Sequence, residues 1–304
     1  MKTISTTGRR KKPGNKRLGE WIQQLVFTGP ATAAFAVIVV IPFLMGMYYS
    51  LTDWNGVSEE IRYIGVGNFV TIFHDESFRS SFSFTARYTV AAVILTNLVG
   101  FLLALLLTQA LKARNVLRTV FFLPNVIGGL LLGFIWQFIF INGFGAIGEA
   151  TGWGFFELPW LGDAMTAFWA VVIVSVWHGA GYLMVIYISA LINVPKDLNE
   201  AAAIDGAGGW QRLRHITIPL IMPAVTICLF LALSWSFKVF DVILSLTKGG
   251  PFNSTKSVAL DIYLEAFQNN RYGLGTAKAL VFFVIVALLT SLQVWLTKRR
   301  EVQA

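Results

Sequence analysis

Six stretches of this chain are each long and apolar enough to cross a lipid bilayer, and that feature excludes most architectures at once. They cover residues 25–49, 88–110, 119–141, 167–192, 218–246 and 277–296. Hydrocarbon offers no partner to an exposed backbone group, so a spanning helix needs about 20 mostly apolar residues, whereas a barrel strand needs about 10. The runs have helical length. With 56% hydrophobic and 13% charged residues among 304, the chain cannot cover a soluble globule of this size with polar surface. The sequence predicts an all-α integral membrane protein with six transmembrane helices.

The net charge of +8 invites a nucleic-acid reading, but the basic residues flank apolar runs instead of sharing one face. Short loops rich in Lys and Arg stay in the cytoplasm. The N-terminal segment, the 111–118 loop, the 193–217 loop and the C-terminal tail carry seven, three, three and three of the 24 basic residues. The three intervening loops carry Arg62, Arg79, Arg87, Lys248, Lys256 and Arg271, with Lys278 at the mouth of the last span. Both termini are therefore expected to be cytoplasmic, in agreement with an even number of spans. Arg9, Arg10, Lys11, Lys12, Lys16 and Arg17 before the first apolar run resemble the start of a signal peptide. That run continues well past the small-residue triplet Ala34-Phe35-Ala36 to Tyr49, so it reads as an uncleaved first span. Cys228 is the single cysteine, which excludes an internal disulfide, and no Cys/His cluster stands ready for a metal.

The divisions expected are a basic cytoplasmic tail (1–24), a first transmembrane helix (25–51), an outer loop (52–83), a five-helix core (84–297) that includes a cytoplasmic loop at 193–219, and a short cytoplasmic tail (298–304). The loop at 142–166 is aromatic, as suits rings at a membrane interface. No internal repeat stands at a fixed spacing.

The 193–219 loop is the most informative stretch. Pro195 stops the fourth span and opens a short helix over 196–205 made of strong helix formers, with acidic residues early in it. Gly206 and the Gly208-Gly209 pair offer the positive-φ freedom needed to reverse the chain. A second helical piece starts at Trp210, with Trp210, Leu213 and Ile216 on one side, Arg212, Arg214 and His215 exposed, and Pro219 separating it from the fifth span. A ten-residue helix is too short to be stable alone in water. It either lies on its own membrane domain or, thin at its three alanines, sinks into a partner's groove.

Glu200-Ala201-Ala202, then Gly206, then Ile216-Thr217-Ile218-Pro219 resembles the coupling loop of the membrane subunits of binding-protein-dependent ABC importers, with Ile218 where that family favours leucine. Gly65-Val66-Gly67-Asn68-Phe69, Leu123-Pro124-Asn125 and the run from Phe240-Asp241-Val242 to Gly249-Gly250-Pro251 are similar to the sugar-importing branch, the maltose and glycerol-phosphate permeases. The resemblance implies the type I (MetI-like) importer permease fold and a place in the cell membrane of a prokaryote. It implies a second, paralogous permease subunit, two ATPase subunits and an extracytoplasmic sugar-binding protein. Glu200 and Asp205 would be charged contacts to the ATPase, Ala201 and Ala202 the close-packing face, Gly206 the turn, and Ile216 and Pro219 the end of the coupling element. No cofactor is expected on this chain, ATP and magnesium residing on the ATPase. The chain itself has no Gly-Lys dipeptide and hence no phosphate loop of the Walker type.

Polar residues inside spans are the other candidates, because ionisable groups in hydrocarbon are costly and usually face a cavity. In the fifth span, Lys238 and Asp241 stand at i and i+3, close enough to pair on a helix. Either they form a structural ion pair, or this face lines a path in which Trp235 stacks on sugar and Asp241 accepts hydroxyls. Trp177, His178 and Tyr182 in the fourth span and Asn125 and Gln137 in the third are further pathway candidates. Asn97 reads as a helix-to-helix hydrogen bond. A secondary transporter or channel acting without ATP is the alternative. A membrane enzyme would need clustered carboxylates or histidines, and the acidic residues are scattered.

Overall fold

The structure, a computed structural model, describes residues 14–299; the first thirteen residues of the predicted tail and residues 300–304 lie outside the described residues. The first span is helix α1 (Gly14–Phe35), a wide π-type turn at Ala36–Val40 and α2 (Ile41–Tyr49). Pro42 has no N–H to give to this continuous helix, and the wide turn ends two residues before it. No residue of Ala36–Val40 or Ile41–Tyr49 is buried.

The predicted outer loop is largely structured. Thr52 pairs with Tyr63 in an isolated antiparallel bridge, and an Arg62–Asp53 ion pair at 3.1 Å lies beside it. The Asn68 side chain, buried, donates to the carbonyls of Ser50 (2.9 Å) and Thr52 (2.7 Å). That bond pair explains the Gly-Val-Gly-Asn-Phe stretch, which turns the chain and starts α3 (Gly67–His74) against the end of the first span.

Asp75 caps α4 (Glu76–Leu107) by accepting from Phe78 N at 3.1 Å. The second span thus starts twelve residues earlier than expected, eight of them in the predicted loop, and stops three residues short of the expected end. After α5 (Arg114–Phe122), a tight turn at Leu123–Val126 and non-helical Ile127 and Gly128, the chain resumes as α6 (Gly129–Phe138). The third apolar run is therefore broken, where one continuous helix was expected. A wide turn leads to α7 (Phe144–Thr151) and the short α8 (Gly154–Glu157). Rings of the aromatic loop pack on each other, with Trp160 stacked on Phe140 at 5.2 Å and its indole N–H on Phe155 O at 3.0 Å. Asp163 then caps α9 (Ala164–Ile192), accepting from Met165 N at 2.9 Å.

Helices α4 and α9 form the centre of the bundle. Their polar residues satisfy one another: Tyr88 donates to Ser175 at 2.7 Å, and Tyr187 donates to Asn97 at 2.7 Å, the helix-to-helix bond expected of Asn97. Buried Ala104, Leu107, Leu183, Met184 and Cys228 pack around one end, and Phe84, Leu132, Val171, Ile243 and Leu246 around the other.

The loop after α9 holds α10 (Lys196–Ile204) and α11 (Gly209–Arg212), and a wide π-type turn at Leu213–Thr217 runs into α12 (Ile218–Leu220). Two expectations are corrected here. Pro219 does not separate the second piece from the fifth span; it sits inside α12, and the axis bends by 74° immediately after, before α13 (Met222–Phe237). Of the three loop glycines only Gly206 has positive φ. The fifth span is also broken: α13 ends at Phe237, residues 238–240 are non-helical, and α14 (Asp241–Leu246) begins anew. The chain finishes with α15 (Val258–Tyr263), a wide turn, and α16 (Tyr272–Lys298). Among the described residues five helices are long and apolar enough to cross a membrane, and six spans result if Gly209–Leu220 and Met222–Phe237, bent by 74°, count as one.

Candidate functional site

The two breaks lie side by side and open onto one cavity of about 440 Å³. Val239, within the break of the fifth span, gives its carbonyl to the Ser257 hydroxyl at 2.8 Å. At the other break, His178 Nε2 on α9 lies 3.2 Å from the carbonyl of Ile127. Polar groups from four spans therefore converge: Tyr88 and Thr96 from α4, Asn125 from the third, Ser175 and His178 from α9, and Trp235, Lys238 and Asp241 from the fifth. A few convergent polar groups within a mostly apolar concavity are the usual composition of a small-molecule site.

Of the residues singled out in sequence, Asn125, His178, Trp235, Lys238 and Asp241 line this cavity. Tyr182 stands behind it, edge-on to Trp235 at 5.3 Å. Gln137 donates to Leu246 O at 3.1 Å and ties α6 to α14, and Trp177 packs edge-on against Trp136 at 5.5 Å. The helical i, i+3 ion pair of Lys238 and Asp241 does not form, because residues 238–240 are non-helical and Asp241 begins a new helix. Both side chains are exposed and, among the described residues, neither has a hydrogen-bond or ion-pair partner. Tyr88, Thr96, Ser175 and Gly129 were not legible as cavity residues, since uncharged groups in an apolar run give no signal of which face they occupy.

The 193–219 loop stands off the bundle. Glu200, Ala201 and Asp205 are exposed, Ala202 half-buried, and Leu198, Ile204 and Trp210 present large apolar surface, Ile204 being 87% exposed. Gly206 closes α10 at φ +84°, its N–H on Ala203 O at 3.1 Å, while Ala207 N donates to Ala202 O at 2.8 Å. A Cβ at Gly206 would meet open space, so the demand for glycine there is conformational. Ile216 and Pro219 are half-buried, and so is Arg212, expected to be exposed. Asp205, Gln211, Arg212, His215 and Ile216 border a shallow cleft.

A charged cluster at the start of α16 went unseen in the sequence. Lys278, 0% exposed, reaches Asp75 at 2.7 Å, Asp261 at 2.9 Å and Glu265 at 2.7 Å. Lys256 pairs with Asp261 at 2.9 Å and bonds Ser77, and Arg271 pairs with Glu265 at 3.1 Å. Burial alone would raise the Asp75 and Asp261 carboxyls, but bonds to Lys278, with Phe78 N at Asp75 and Lys256 and Ser77 at Asp261, outweigh it and hold both below the usual carboxylate range. Asp261 and Glu265, four apart in an apolar segment, were the available signal.

Residues 96–302 match the family model described as the binding-protein-dependent transport system inner membrane component. The chain belongs to this family. Its members are transport subunits and not enzymes. The chain is 47% identical over 278 residues to the probable starch degradation products transport system permease protein AmyD of Thermoanaerobacterium thermosulfurigenes, with 91% of this chain and 94% of that one covered. It is 34% identical over 266 residues to the multiple sugar-binding transport system permease protein MsmF of Streptococcus mutans, with 88% and 92% covered. The fold is that of a chain in the crystal structure of a bacterial ABC transporter importing the acidic polysaccharide alginate (TM-score 0.80, 21% identity, 93% and 99% covered).

Proposed function

We propose that this chain is the permease subunit of an ATP-driven sugar importer in the plasma membrane of a prokaryote, with both termini cytoplasmic. It forms half of the translocation path, and the cavity at the two broken spans is its substrate-contacting wall. The observation that carries this reading is the convergence of Trp235, Lys238, Asp241, Asn125 and His178 on one cavity, in a chain whose relatives are named for starch products and multiple sugars. Trp235 offers a ring face to a sugar, and Asp241 accepts its hydroxyls. Tyr182, Trp177 and Gln137 shape the path from behind.

Energy enters through the exposed α10. Glu200 and Asp205 meet the charged rim of an ATPase cleft, Ala201 and Ala202 allow close approach, and Gly206 sets the angle at which Ile216 and Pro219 carry the push into the 74° bend. A paralogous permease completes the pore, a second ATPase completes the pair, and an extracytoplasmic sugar-binding protein delivers cargo. ATP and magnesium stay on the ATPase.

The test is Gly206→Val in the assembled complex. A β-branched residue is strained at positive φ by about 1–3 kcal/mol, so α10 is misplaced. Sugar-stimulated ATP hydrolysis and uptake are both expected to be lost while the chain still inserts in the membrane. Retention of both contradicts the coupling role, and active transport by the chain purified without an ATPase favours a carrier independent of ATP.

A further inference from the structure

Gly129, Gly133 and Gln137 lie at i, i+4 and i+8 on one face of α6, and each meets α14. A Cβ at Gly129 would stand 2.8 Å from Asp241 Cβ and 3.3 Å from its Oδ2. A Cβ at Gly133 would fall onto the Ser245 side chain, and Gln137 closes the row by donating to Leu246 O. Two half-helices, each beginning at a break, are thereby zipped along glycines, as closely approaching membrane helices often are. Both Gly129 and Asp241 line the cavity, and among the described residues the exposed Asp241 carboxylate has no partner to hold it.

We propose that Gly129 is a positioning residue of the path: its missing side chain is the space that seats Asp241 on the cavity wall, and so sets where a sugar hydroxyl is accepted. The proposal rests on the reading of the cavity as the translocation path. One methyl added at position 129 falls on Asp241 and displaces the carboxylate that meets substrate. A Cβ at Gly128, one residue earlier, would have nothing within 4 Å, which makes Gly128→Ala the matched control.

The experiment uses the complete complex in membrane vesicles and has two arms. In the first, Cys228→Ser removes the single cysteine, and Asp241→Cys reports its own position through its rate of modification by a charged methanethiosulfonate. Gly129→Ala is expected to change that rate by about tenfold, because a displacement of about 1 Å is enough for such an effect at a geometry-dependent site. Gly128→Ala leaves it unchanged. Equal rates in all three backgrounds overturn the proposal.

In the second arm, uptake of radiolabelled maltose, maltotriose and trehalose is measured against concentration. Gly129→Ala raises the half-saturation concentration more than it lowers the maximal rate, and the Gly129→Ala/Asp241→Asn double variant is no worse than Asp241→Asn alone, since residues acting through one another are not additive. Additive losses overturn positioning through Asp241. Wild-type uptake untouched by Asp241→Asn overturns the reading of the path and the role given to Gly129, even where the cysteine arm upholds the geometry.

Discussion

At the scale of single residues, Lys278 of α16 ties together the start of α4, α15 and the wide turn after it. Three carboxylates surround its buried ammonium, and Lys256 and Arg271 supply the remaining positive charge, so the cluster is neutral as a whole. Taking away one partner of a buried ion pair costs about 3–5 kcal/mol, because the charge left behind has neither water nor counter-ion. Lys278→Met is therefore expected to lower the Tm of the detergent-purified protein by on the order of 10 °C at neutral pH. The loss should shrink in acid, where the stranded carboxylates can neutralise. In the unaltered protein the sign runs the other way: Asp75 and Asp261 are depressed, so their stabilisation is fully present above the ordinary carboxylate pKa of about 4 and is lost as pH falls below it. Tm measured from pH 8 to pH 3 checks both statements. A similar penalty attaches to Asn68→Leu, which leaves the buried carbonyls of Ser50 and Thr52 without their donor, at about 1–3 kcal/mol.

Between residue and molecule stand the helices, and here the sequence is informative in an uneven way. Six apolar runs announce the spans because lipid permits no other signal, and α10 with its Gly206 reversal is written in strong helix formers and one glycine. The break in the third span also leaves a trace, since Pro124 and the Gly128-Gly129 pair stand around it. The break in the fifth leaves none: Ser236-Phe237-Lys238-Val239-Phe240 contains neither glycine nor proline. Its cause is tertiary, the capture of Val239 O by Ser257, whose hydroxyl also accepts from Leu260 N at 3.2 Å as the cap of α15. For that reason the apolar periodicity around Lys238 and Asp241 reads as one helix and suggests a pair that does not exist. Ser257→Ala should cost about 1–2 kcal/mol through the lost cap, and should loosen the break, read as faster hydrogen exchange at residues 238–241.

For the whole molecule, the proposed orientation places α10 and both termini inside the cell and the 247–257 loop outside. In a Cys228→Ser background, Asn253→Cys should react with an impermeant maleimide in intact cells and Ile204→Cys only after permeabilisation; both positions are exposed. The reverse pattern contradicts the assignment. Under the proposed coupling the cavity is joined to the 193–219 loop: α13 has the 74° bend at one end and Lys238 at the other, so a push on α10 would be delivered to the helix that carries Trp235 and leads to Asp241. The most direct measurement is ATP-driven uptake of radiolabelled maltose, maltotriose and trehalose by the complete complex in proteoliposomes, comparing wild type with Trp235→Ala/Asp241→Asn. The account expects ATP-dependent accumulation of at least one of these sugars by the wild type, and a loss of roughly a hundredfold in the variant, as when about 3 kcal/mol of binding is removed. Equal accumulation by the two, with the complex intact, would contradict it.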